Sequence, residues 1–145
     1  MLIQNREVTH PDVTLLVVAA ERELVTRYPD EHIASVDPKA RFVVAYVMGE
    51  PVGCGAIVTV APGVAEIKRM WVRTANRRTG VGRRILAALE RRAQAEEHDT
   101  VILETGRRQP EAIALYEEMG YTEIPPYGEY VGNPTSVCFE KKLIA

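Results

Sequence analysis

At 145 residues, with 46% hydrophobic and 26% charged side chains, residues 1–145 fit one globular domain with a sizeable core. A formal net charge of −2 excludes a general attraction to nucleic acid, so a basic cluster in this chain serves a small polyanion rather than a polymer. Cys54 and Cys138 match neither a disulfide framework nor a metal-ligand spacing, no apolar run is long enough to span a membrane, and the first residues lack a signal-peptide pattern. A reduced, cytoplasmic protein without metal is expected.

In chain order, "DVTLLVVAAERELVTRYP" reads as a helix ending at Pro29, and the stretch to Asp37 as a mobile segment or one wall of a site. "RFVVAYVMG" and "PVGCGAIVTV" are β-branched strands punctuated by Gly49-Glu50-Pro51, which predicts a hairpin. After a Pro62-Gly63 turn, strict alternation in "VAEIKRMWV" places Ala65, Ile67, Arg69 and Trp71 on one face and Glu66, Lys68, Met70 and Val72 on the other. Polar residues on both faces suit a strand that lines a site.

From Gly80, the residues Val81, Ile85, Leu86, Leu89 and Ala93 form one helical stripe, with Arg92 beside it obliged to snorkel or pair. "TVILETG" is a further strand. Gln109-Pro110 begins a helix whose stripe is Ala112, Leu115, Tyr116 and Met119, closed by Gly120. After Pro125-Pro126, "TSVCFEKKLI" is the last strand. Strand, strand, strand, helix, strand, helix, strand makes an α/β sheet with hairpins and crossovers.

The chemistry concentrates in "NRRTGVGRRIL", where four arginines surround two glycines at the start of a helix. A helix start offers unpaired N–H groups and the positive end of a dipole, glycine lets the backbone approach closely, and arginine adds charge-assisted hydrogen bonds. An anion site is one reading, and a solvated basic turn is the other. Neither G-x-G-x-x-G nor the Walker pattern fits, since the segment reads Arg-x-x-Gly-x-Gly from Arg77 to Gly82.

That segment resembles the pyrophosphate loop of the GCN5-related N-acetyltransferase superfamily. "AEIKRMWV" looks like that fold's fourth strand, and "QPEAIALYEEMGY" is similar to its second signature, with Gln109 where asparagine is usual. The resemblance is strong from Val64 to Tyr121 and implies a single-domain α/β acyl-CoA N-acyltransferase fold, with a mixed, mostly antiparallel sheet flanked by helices.

The implied activity is transfer of an acetyl group from acetyl-CoA to a primary amine of a small molecule, amino acid or peptide by direct attack on the thioester. The implied cofactor contacts are the loop Arg77, Arg78, Thr79, Gly80, Val81, Gly82 and Arg83, the strand residues Met70, Trp71 and Val72, and Gln109. Tyr116 is the implied acid toward the thiolate and Glu66 the implied base, with Glu104 or a water chain in reserve and a Glu66–Lys68 ion pair as the competing reading. Arg107 and Arg108 are candidates to attract an acceptor carboxylate, with an exposed basic loop as the safer reading, and Tyr28, Tyr127 and Tyr130 are candidates to line the acceptor side. His10, His32 and His98 have no metal spacing and are read as surface or structural. The alternative function is a non-catalytic acyl-CoA-binding regulatory module. A monomer and a homodimer fit the sequence equally.

Overall fold

A seven-stranded sheet in the order β1-β2-β3-β4-β5-β7-β6 forms the centre of the computed structural model, which describes residues 1–143. The strands are β1 (Leu2–Arg6), β2 (Arg41–Val47), β3 (Glu50–Ala61), β4 (Val64–Val72), β5 (Thr100–Gly106), β6 (Thr122–Ile124) and β7 (Ser136–Lys142). The helices are α1 (Pro11–Arg27), α2 (Val81–Ala95) and α3 (Pro110–Glu118). Of the expected last strand, Ile144 lies outside the described residues. Every pairing is antiparallel except β4 with β5. The sheet is therefore mixed and mostly antiparallel, as the resemblance implied.

Two apolar layers sandwich it. The stripe Val81, Ile85, Leu86, Leu89 and Ala93 of α2 joins Tyr116 of α3 against one face, while Val13, Leu16 and Val17 of α1 cover Phe42, Val44, Cys54 and Ala56 on the other. The hairpin between β2 and β3 turns on Met48 and Gly49, both at positive φ (51° and 81°), the backbone that a two-residue type I′ loop requires. Arg92 resolves its place beside the core by donating to the Phe42 carbonyl at 3.1 Å and pairing with Glu96 at 3.2 Å. His98 is buried between the Ala93 carbonyl and Thr59 Oγ1, and His10 caps α1 by accepting from the Asp12 N–H. Both histidines are structural.

The sequence reading differs from the fold in three places. β1 and β6 are absent from it, because "LIQNR" and "TEI" are short and carry little apolar alternation; both occupy sheet edges, where pairing alone holds them. The strict alternation of β4 also fails. Arg69 adopts φ 59° and the β3 register shifts between Cys54 and Ala56, so Gly55 faces both Arg69 and Met70. This bulge turns Met70 and Val72 to the face of Ala65 and Ile67, and Trp71 to the layer under α1. Gly55 is the residue that permits it, since a Cβ there would lie 2.8 Å from Leu89 Cδ1 and 3.0 Å from Met70 Cγ.

Candidate active site

β4 and β5 pair only from Val64↔Thr100 to Ile67↔Leu103. Beyond that point β4 bulges at Arg69, whereas β5 stays paired with β7 as far as Gly106↔Ser136, so the two parallel strands part. The opening has a different chemistry on each side.

On one side stands the glycine-rich loop. A single 3-10 turn, Thr74–Asn76, carries the chain from β4 to Arg77, and Gly80 at φ 89° is the N-cap of α2 without contributing a side-chain cap. The first-turn N–H groups of α2 are thereby left to be met from outside the helix. Gly82 sits on the second position of α2, where a Cβ would come 3.1 Å from Leu115 Cδ2, so a larger residue there would force α2 and α3 apart.

The arginines of this loop divide into two kinds. Arg77 donates from Nε to the Val72 carbonyl at 2.9 Å and from Nη2 to Glu23 at 2.7 Å, with its guanidinium 5.9 Å from the Trp71 ring centre. It fastens the loop to β4 and to α1. Arg83 pairs with Glu118 of α3. Arg78 and Arg84 are exposed and make no ion pair among the described residues. Arg84 was not singled out in the sequence, although its place in the first turn of α2, beside Arg83, was the available signal. Thr79 spends its hydroxyl on the Asn76 carbonyl. The Trp71 Nε1–H is buried without a hydrogen-bond partner among the described residues.

Gln109 precedes α3 as its N-cap, with no side-chain cap of its own, and lines the cleft beside Tyr28, Glu104 and Gly106, away from the glycine-rich loop. Tyr116 is the one fully buried residue of α3, edge-on to Tyr121 at 5.9 Å and tilted against Phe139 at 6.1 Å. Its hydroxyl points to Met70 Sδ at 3.9 Å. Burial and the charge of Glu104 push its phenol well above the ordinary range, which keeps it protonated. Met70 and Val72 turn their side chains into the core layer under α2 and α3.

On the other side lies a cleft of about 690 Å³, walled by residues 28–40, by β4 at Lys68 and Arg69, by Glu104 and Gly106 of β5, and by the segment before β7. Glu104 accepts from Ser136 Oγ at 2.8 Å and has no ion-pair partner among the described residues. Burial, with Glu31 and Glu66 adding like charge, raises its carboxyl to about 7. Glu66 is only 5% exposed; it accepts from Tyr127 Oη at 2.7 Å and lies 3.7 Å from Lys68 Nζ. The two carboxylates thus differ: one is free in the cleft and the other is engaged.

Tyr28 and Tyr130 line the cleft, and Tyr28 Oη accepts from the Arg108 N–H at 3.0 Å while packed against Gly106. Arg107 and Arg108 do not reach the cleft. Arg107 donates to the Pro134 carbonyl, and Arg108 stacks 5.3 Å over Tyr28 and donates to the Arg27 carbonyl. Their spacing after β5 suggested an acceptor role, but backbone carbonyls hold both side chains. Among the described residues there is no cluster of metal-binding side chains and no helix long and apolar enough to cross a membrane.

Residues 9–121 match the acetyltransferase (GNAT) family profile. The chain is 38% identical over 138 residues to the IAA acetyltransferase of Azospirillum brasilense, covering 90% of each protein. Among solved structures, a Klebsiella pneumoniae protein assigned as an acyl-CoA N-acyltransferase superposes with a TM-score of 0.86 at 32% identity, over 99% of this chain and 97% of that one. A GNAT acetyltransferase from Elizabethkingia anophelis with acetyl-CoA bound shares the fold, with a TM-score of 0.74 at 16% identity over 98% and 97% of the two chains. An uncapped, glycine-rich helix start beside parted parallel strands is thus found in a chain that belongs to the GNAT acetyltransferase family and is an acyltransferase.

Proposed function

We propose that the protein transfers an acetyl group from acetyl-CoA to a primary amine of a small molecule, amino acid or peptide. The observation that carries this reading is the parting of β4 from β5 after Ile67↔Leu103, between an uncapped helix start on one side and a carboxylate-bearing cleft on the other. Donor and acceptor can then meet from opposite sides of the sheet.

The residues present fit coenzyme A. The N–H groups from Arg78 to Gly82 and the first turn of α2 would hold the pyrophosphate, with Arg78 and Arg84 supplying charge and Arg83 joining them if it exchanges Glu118 for phosphate. Arg77 acts as a strut that sets the loop. Main-chain groups of Met70, Trp71 and Val72, beyond the bulge, would align the thioester, while Gln109 at the head of α3 would approach it from the cleft.

The neutral amine attacks the thioester carbonyl and the carbon–sulfur bond breaks. Glu104 accepts the amine proton, for which a carboxyl near 7 in the cleft is suited at neutral pH. Tyr116, kept protonated by burial, gives its proton to the departing thiolate. The test is thiol release from acetyl-CoA against a panel of amines, amino acids and peptides, with mass spectrometry of the product. An N-acetylated product supports the reading, whereas coenzyme A binding without turnover over the whole panel favours a regulatory acyl-CoA-binding module.

A further inference from the structure

Resting on that reading, we propose that Glu66 is a positioning residue that tethers the segment 125–135 to β4 through Tyr127, and so shapes the acceptor cleft, instead of taking the amine proton. The segment supplies Glu129, Tyr130, Asn133 and Thr135 to the cleft wall. None of residues 125–135 is buried, so no apolar anchor of its own fixes it. Its C-terminal end is held by the Arg107 N–H on the Thr135 carbonyl at 2.8 Å, by Arg107 Nε on the Pro134 carbonyl, and by Thr135 Oγ1 on Glu31 at 2.7 Å.

At the other end, the Tyr127 backbone is hydrogen-bonded to the Cys138 thiol of β7, and the segment's own side chains reach out to β4. Tyr127 Oη donates to Glu66 at 2.7 Å, Lys68 lies 3.8 Å from Glu129, and Lys68 Nζ donates to Tyr130 Oη at 3.4 Å. Glu66 also holds Lys68 at 3.7 Å, so it orders both contacts at once. The Tyr127 and Tyr130 rings meet edge-on at 5.4 Å, which passes the restraint from one tyrosine to the other. A carboxylate already receiving a phenol and an ammonium, and only 5% exposed, is spent on this network. Glu104, by contrast, faces Glu31 from the α1–β2 connection, Glu66 and Lys68 from β4, and Ser136 from β7, with the hydroxyl as its one hydrogen-bond donor among the described residues.

Two measurements test this in the intact protein: hydrogen–deuterium exchange of the amides in 127–133, and steady-state kinetics with the panel amine that is acetylated. Glu66→Ala and Tyr127→Phe should each speed exchange in that segment by about tenfold, with the Glu66→Ala/Tyr127→Phe double variant no faster than the singles and Glu104→Gln unchanged. Both single variants should raise the acceptor KM by about tenfold, with kcat within about threefold, the acetyl-CoA KM unchanged, and the acidic limb of the pH profile retained. Unchanged exchange in Glu66→Ala overturns the tether. Loss of kcat together with the acidic limb, at unchanged acceptor KM, returns Glu66 to the role of base. Should no panel amine be acetylated by the wild type, the acetyl-transfer reading fails, while the exchange data still decide the tether.

Discussion

The two sides of the β4–β5 opening are built on different principles. The donor side is a short loop clamped onto regular elements: α2 presses five apolar residues into the core, and Arg77 pins the loop to β4 and α1. The acceptor side is walled mostly by irregular chain, residues 28–40 and 125–135, held at its polar contacts. A cradle for a constant ligand can be rigid and local, whereas a pocket for the variable partner is assembled from distant segments. The loop side is therefore marked within a dozen residues of sequence, whereas the cleft walls come together only on folding.

The largest effects should come where the two sides meet. Glu104→Gln is expected to lower kcat/KM by about a hundredfold or more and to remove the acidic limb near pH 7, read from rate profiles across pH. Tyr116→Phe should leave coenzyme A affinity intact and cut turnover by about tenfold to a hundredfold. If affinity falls equally, the phenol acts in packing, since its ring also supports Tyr121 and Phe139.

Intermediate effects belong to the donor side alone. Gly82→Val should weaken coenzyme A binding by about tenfold or more in calorimetry, because its branched side chain meets Leu115 and shifts the helix start. Arg78→Ala combined with Arg84→Ala should weaken binding by a smaller factor, about threefold to tenfold, and the difference should shrink as salt is added. Arg77→Ala should instead lower the melting temperature, as expected of a strut.

The smallest expected effect is on stability. Glu104 has its carboxyl raised from 4.5 to about 7 in the fold, so between those pH values the folded chain binds more protons than the unfolded one. The stability this group contributes is thus lost as pH rises through that window. Glu104→Gln should flatten the decline in melting temperature between about pH 5 and about pH 8, a gain of about 1–2 kcal/mol at the upper end once the open side of the cleft is allowed for.

Legibility in the sequence followed the same division. The stripe of α2, the β2–β3 hairpin and the Arg77–Gly82 loop are readable because their signals are local, although the turn itself falls on Met48-Gly49 and not on Gly49-Glu50-Pro51, since Glu50 and Pro51 already pair in β3. β1 and β6 escaped because an edge strand owes its existence to a partner far along the chain. The pairing of Tyr127 with Glu66 spans 61 residues and leaves no pattern in either neighbourhood. Arg107 and Arg108 stay ambiguous in the sequence for the converse reason, and the structure takes the exposed-loop reading: a paired charge looks the same whether its side chains reach a ligand or a backbone carbonyl.

The extra residue at Arg69 acts as a parity bit for β4. Deleting one residue there would restore even alternation and exchange inside for outside from Met70 to Val72, setting the indole of Trp71 against α2 and α3 and turning Met70 away from Tyr116. A substitution along the strand disturbs one contact at a time, whereas a single-residue insertion or deletion between Lys68 and Met70 would be lethal to the site while barely changing composition. The bulge is inherited as a count.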